Sequence, residues 1–389
     1  MRTTRLALIF CASVALHATE TARTPAEISI RKAEQDIARK PQHVPYYNAL
    51  AMAYARRARE TSDVGYYGKA EETLQRSFSL APDNYEGLKV KTWLLLGRHE
   101  FAKALDTATT LNKRMPDDIT VYGYLADANA ELGNYKDAVA AVQWMLNLRP
   151  GNVAGLTRAA YLRELHGDIP GALDLMQMAY DATPYQEFED RAWLLTQIAH
   201  LHFVAGDLER AETYVRGALD LFPEYHYALG ALGQIRMAEE KYEEAAAFFQ
   251  KRYDAAPHAE NLYALAEALE RAGRHGEADA SFAIFEQKAL AESAQADNAN
   301  HELIAYYTDY ARQPTKALRL AEQELTRRHD VFTVDAHAWS LAASGDYARA
   351  NEEIQRALVV GVKDPRLLEH ARAIAQKAEA KIGVARNSN

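Results

Sequence analysis

Nine alanines set the pattern of this chain. Ala70, Ala104, Ala138, Ala172, Ala211, Ala245, Ala278, Ala317 and Ala350 recur at intervals of 34, 34, 34, 39, 34, 33, 39 and 33 residues. The first six are each followed twelve positions on by a proline: Pro82, Pro116, Pro150, Pro184, Pro223 and Pro257. Five residues before Ala70, Ala138, Ala172, Ala211, Ala278 and Ala350 stands a glycine. A period near 34 built from two helical stretches is the mark of a repeated helical hairpin.

Each mark has a physical reason. Glycine accepts a left-handed backbone at little cost, so it ends a first helix and lets the chain fold back. Where the two helices come closest, a side chain larger than a methyl group would push them apart, so alanine fits. Proline closes the second helix because it cannot continue the hydrogen-bond ladder and restricts the residue before it. Hydrophobic spacing agrees. Tyr122, Leu125, Ala126 and Asn129 share one helical face, as do Ala138, Val142 and Met145 on the next helix. Such a hairpin carries an apolar stripe that only a neighbouring hairpin can cover.

These marks resemble the tetratricopeptide repeat. The first helix of that family carries a bulky residue, then Leu and a small residue, then a large one; Tyr47, Leu50, Ala51 and Tyr54 match, as do Leu229, Leu232 and Gly233. The resemblance covers residues 44–362 and implies an all-α, right-handed α-solenoid of about nine helix-turn-helix repeats, with a capping helix near 366–382. Repeats one to seven are expected over 44–290, and repeats eight and nine with the cap over 298–384.

The repeat is broken at three places. RARETSDVGYYGK separates the helices of the first hairpin, DATPYQEFEDRAW precedes the fifth, and ALAESAQADNAN separates the seventh from the eighth. Repeats seven to nine have Leu290, His329 and Val362 where the closing proline would stand. Residues 290–298 are the expected bend between the two groups of repeats.

The N-terminus MRTTRLALIFCASVALHA has two arginines, an apolar run from Leu6 to Leu16 and a small residue at Ala18, the three parts of a secretory signal peptide over residues 1–18. An eleven-residue run is too short for a lasting membrane span. The expected destination is the periplasm or the cell exterior. The single cysteine, Cys11, lies inside that run, so the mature chain is expected to rest on packing without disulfides. Formal net charge is −9; removing Arg2 and Arg5 leaves 43 basic residues against 54 acidic, a net of −11. Such a chain repels nucleic acid, and a partner held by charge is expected to be basic.

In the tetratricopeptide family the first helices line the concave side and bind an extended peptide or a helix of a partner. The resemblance implies that Trp93, Asp127, Glu131, Tyr161, Trp193, His200, Tyr227, Tyr263, Glu267, Tyr306 and Trp339 line such a groove. The same columns hold Glu86, Glu164, Glu260, Glu270, Glu302, Asp309 and Asp335, against Arg56, Lys89 and Arg271. An aromatic and acidic lining suits a partner carrying Lys or Arg, through cation–π and charge-assisted contacts of roughly 0.5–2 kcal/mol each.

Catalysis finds no constellation in the sequence. His200 and His202 are two apart on an expected helix and diverge by about 200°, so they do not form the i, i+4 pair that holds a metal. HExxH, paired CxxC, GxSxG and a phosphate loop are absent from the sequence. The expectation is a non-catalytic protein-binding scaffold without cofactor or metal. A self-assembling repeat rod is the alternative reading, and an enzyme with an unrecognised site is a more distant one.

Overall fold

The computed structural model describes residues 24–61, 63, 65–294 and 298–387. The expected signal peptide lies outside the described residues, as do positions 295–297 of the expected bend. A leading helix α1 (Pro25–Arg39) is followed by paired helices: α2 (Val44–Thr61) with α3 (Gly65–Leu80), α4 (Tyr85–Gly97) with α5 (Phe101–Arg114), α6 (Ile119–Glu131) with α7 (Tyr135–Leu148), and α8 (Val153–Leu165) with α9 (Ile169–Ala182). The row continues with α10 (Phe188–Val204) and α11 (Leu208–Leu221), α12 (His226–Ala238) and α13 (Tyr242–Ala255), and α14 (Ala259–Arg271) and α15 (His275–Glu292). Then come α16 (Asn300–Ala305), which runs into a π-helical turn (Tyr306–Tyr310), α17 (Pro314–Glu324), α18 (Val331–Ala343), α19 (Tyr347–Leu358) and the closing α20 (Pro365–Asn387). Sequential helices pack on one another throughout, which makes an all-α solenoid of nine hairpins among the described residues.

The marks in the sequence sit where the packing needs them. All nine repeat alanines have no exposed surface. The helices before Pro82, Pro116, Pro150, Pro184, Pro223 and Pro257 each end two residues ahead of the proline. α15 has no such proline and runs on to 18 residues, against 14 in α11 and α13. Gly133, Gly167, Gly206, Gly273 and Gly345 have positive φ and end their first helices. Gly65 departs from its expected role: α2 runs to Thr61, and Gly65 is the first residue of α3, because the insertion lengthens that turn. In the three hairpins without a glycine, His99, Glu240 and Arg312 take the left-handed conformation themselves, at φ 57°, 60° and 53°.

α1 was not expected from the repeat. Thr24 and Glu27 form a reciprocal capping box at its start. The buried Glu60 of α2 holds it in place, accepting from the Thr24 hydroxyl at 2.6 Å, Ala26 N at 3.2 Å and Arg57 at 3.0 Å.

The coil is tight enough for its early hairpins to touch hairpins several places further along. Turns between the two helices of early hairpins meet the loops that join later ones. At the end of α2, Arg56 donates to Glu187, the residue just before α10, at 2.9 Å, and Arg59 donates to Asp190 in the first turn of α10 at 2.6 Å. Beyond α6, His329 N donates to the Glu131 carbonyl at 3.1 Å, and Val331 N to the Tyr135 hydroxyl at 2.9 Å. After α8, a Cβ on Gly167 would stand 2.5 Å from the Gly361 carbonyl oxygen, so the residue is held to glycine by both its φ of 77° and this approach. This polar seam joins the rows, while apolar clusters fill the space within them: one runs from Ala126 and Val142 through Leu162 to Val334, Leu341 and Ile374.

Candidate binding interior

Two groups of charged and aromatic side chains collect on the inner side of the coil. The first surrounds a cavity of about 330 Å³ between α4, α6, α7, α8 and the loop before α18. Its apolar wall is Leu96, Phe101, Val142 and Leu162, and its polar wall is Asp127, Glu131, Arg158, Tyr161, His99 and Arg328. Three of the expected residues, Asp127, Glu131 and Tyr161, therefore share one cavity. Asp127 is matched by Arg158 of the next first helix, which donates to its two oxygens at 2.7 and 2.6 Å. Glu131 is poorly matched, with Arg328 Nη1 at 3.7 Å. Burial, with Asp330 nearby, pushes its carboxyl up to about 7. Burial also raises the Tyr161 hydroxyl, aided by Glu131, and holds His99 down to about 4 beside Arg328.

The second group forms where α14, α16, α18 and α20 converge. Tyr263 is buried among Phe282, Phe285 and Tyr310. Tyr310 donates to Glu267 at 3.0 Å, and the Arg366 guanidinium of α20 lies beside Tyr263 and Glu267 and 3.3 Å from Asp309. Trp339 donates its indole N–H to Asp309 at 2.7 Å and stacks on His370, with ring centroids 4.2 Å apart. Nearby Glu302 is pushed up to about 7 by burial and by Glu260. These groups keep contact with water despite their central place, since the Arg366 side chain is 46% exposed and that of Asp127 is 35% exposed.

The remaining expected residues are spread along the row. His200 bonds Glu164 at 2.7 Å; burial works against its protonation, but the Glu164 contact outweighs it and raises the imidazole. His202 turns the other way and stacks on Tyr214. Trp93 and Trp193 each pack partly buried between two neighbouring apolar clusters. Tyr227 lies against His226, with ring centroids 3.9 Å apart, and Tyr306 packs on Phe282 and Phe285 of α15.

Arg158, Arg328 and Arg366 were not anticipated as lining. Arg328 comes from a loop and Arg366 from the closing helix, so the repeat register gives no position to either. The pairing of Arg158 with Asp127 links residues 31 apart on neighbouring first helices, a spacing the repeat itself supplies once both are placed on their hairpins.

A family model described as tetratricopeptide repeat matches residues 125–187 and 196–260. This is a tetratricopeptide repeat protein. Among solved structures, the array is similar to the APC/C hetero-tetramer Cut9–Hcn1, with 12% identity over 91% of this chain and 60% of that one and a TM-score of 0.54. It is also similar to the human IFIT1 dimer with PPP-AAAA, with 13% identity over 88% of this chain and 96% of that one and a TM-score of 0.50. At these identities the likeness is one of fold, and the chain spans 60% of the length of the first. No curated protein matches the sequence. A tetratricopeptide array has a protein-interaction or scaffold role. Among its described residues no helix is long and apolar enough to cross a membrane.

Proposed function

We propose that this tetratricopeptide protein is a non-catalytic scaffold that holds an extended, basic segment of a partner protein along the inner side of its coil. The observation that carries this reading is the shortage of cations around two inner carboxyls. Glu131 has Arg328 no closer than 3.7 Å, and Glu302 faces Glu260; both titrate near pH 7, raised chiefly by burial. A lysine or arginine brought to them supplies the missing charge, and Tyr161, which lines the same cavity as Glu131, offers an aromatic surface beside it. The inner carboxylates together with the net charge of −9 disfavour nucleic acid as the occupant.

Fluorescence anisotropy with a labelled Lys/Arg-containing peptide tests this. Affinity is expected to rise between pH 6 and pH 8 as Glu131 and Glu302 ionise, and a peptide with Glu in place of the cations is expected not to bind. Equal binding of both peptides would remove the basis of the proposal. Export belongs to the same proposal: N-terminal sequencing of the protein from its native cell is expected to start at Thr19, and a retained Met1 would count against it.

A further inference from the structure

The cavity beside Arg328 is where the chain's own cation stands closest to the role proposed for the partner. Arg328 belongs to the loop before α18, yet it reaches into a cavity whose other walls come from α4 to α8. It is held loosely there. Its Nη1 is 3.7 Å from Glu131 and its Nε 3.6 Å from Asp330, and that buried Nε has no hydrogen-bond partner. Its firm contact is Nη2 with the His301 ring. Arg158, by comparison, is locked to Asp127 and to the Gly123 and Ala154 carbonyls. The cavity thus holds one committed arginine and one that its surroundings satisfy poorly.

The rest of the lining fits a cationic side chain with an aliphatic stem. About 330 Å³ is the room of roughly ten waters. Leu96, Phe101, Val142 and Leu162 give the stem an apolar wall, and Glu131 stands at the polar side to receive the charged head. On the basis of the basic-segment reading above, we infer that this cavity is the pocket for one lysine or arginine side chain of the partner, and that Arg328 gives up Glu131 when the pocket fills. Arg328 is then an internal competitor, and the seam contacts that follow it in sequence, His329 N to Glu131 O and Val331 N to the Tyr135 hydroxyl, loosen as the partner enters.

The test compares a peptide carrying one arginine with the same peptide carrying citrulline, which keeps the shape and loses the charge. Against wild-type protein, Glu131→Gln is expected to weaken the arginine peptide about tenfold and to leave the citrulline peptide unchanged. Arg328→Gln is expected to tighten the arginine peptide about fivefold by removing the competitor. Hydrogen exchange on the wild-type protein is a readout that needs no variant: the His329 and Val331 amides are expected to exchange faster with the arginine peptide bound. If the peptide binds but both substitutions leave its affinity within about twofold and those amides unchanged, the pocket assignment falls while the scaffold reading stands. If no basic peptide binds wild-type protein or variants, both fall together.

Discussion

Arg59 at the end of α2 donates to Asp190 at 2.6 Å across 131 positions of sequence, and its other contact is Glu189, whose side chain has no exposed surface. Tyr225 adds a third group, donating to the far oxygen of Glu189 at 2.8 Å. Glu189 thus depends on one cation from a distant hairpin. Removing one partner of a buried ion pair leaves an uncompensated charge, which costs about 3–5 kcal/mol, whereas removing both charges costs far less. Arg59→Ala is therefore expected to lower the urea midpoint of unfolding markedly, and Arg59→Met combined with Glu189→Gln to recover most of it. An Arg59→Ala protein as stable as wild type would show that the seam carries no weight.

The three non-glycine turns give a cleaner test, because Glu240 and Arg312 are exposed. A left-handed backbone costs an L-residue about 1 kcal/mol more than glycine. Glu240→Gly at φ 60° is expected to raise stability by several tenths of a kcal/mol to about 1 kcal/mol. Gly206→Ala, at φ 80° with open space around it, is expected to lower it by a similar amount. Thermal melts of the two proteins moving in the same direction would contradict the backbone argument.

What the sequence made legible follows the same division. The alanines recur in all nine hairpins and the closing prolines in the first six, and both are local devices, so their spacing alone locates the helices and even the turns at His99, Glu240 and Arg312, where the glycine itself is missing. The capping box at Thr24 and Glu27 was equally local, and a Thr-x-x-Glu pattern ahead of α1 was there to be read. The seam was not legible. Whether α2 meets the junction before α10 depends on a small rotation summed over several hairpins, and no local pattern records that sum. Its residues nonetheless left a trace. The segment RARETSDVGYYGK, which begins in the last turn of α2, contains Arg59, and DATPYQEFEDRAW, which runs into the first turn of α10, contains Glu187, Glu189 and Asp190, so two breaks in the repeat face each other across the seam. The resemblance places the inner aromatics by the family's geometry, and local packing diverts some of them: Tyr306 sits at the start of a π-helical turn and packs on α15.

Helix contact at the repeat alanines predicts a steep size dependence. Ala211 has no exposed surface and lies in the cluster with Ala192, Leu195, Val215 and Leu232. Adding atoms to a filled core costs typically about 1–3 kcal/mol, since neighbours must leave their preferred rotamers. Ala211→Leu is expected to destabilise by that amount or more, while Ala211→Gly loses about 1 kcal/mol through helix propensity and a small cavity. The same pair of changes at the exposed Ala247 of α13 is expected to show leucine as harmless. Chemical denaturation that found leucine tolerated equally at both sites would place the closest helix approach somewhere else.

The raised inner carboxyls fix how stability depends on pH. Glu302 titrates near 7 in the folded protein, raised by burial first and Glu260 second, against about 4.5 in an unfolded chain. Between these values the folded state holds a proton that the unfolded state has released, so this group's contribution is complete below pH 4.5 and is lost as the pH rises toward 7 and beyond. Glu302→Gln keeps the neutral shape at every pH. It is expected to match the wild-type melting temperature near pH 4.5 and to exceed it at pH 8, with the gap opening between those values. Arg328 and Arg366, which also bear on Glu302, keep their charge throughout this window, so the gap reports Glu302 and its neighbour Glu260. A gap that stayed constant from pH 5 to pH 8 would mean that Glu302 is already ionised in the folded protein at pH 5, and the shortage of inner cations inferred from its titration would then be absent at this position.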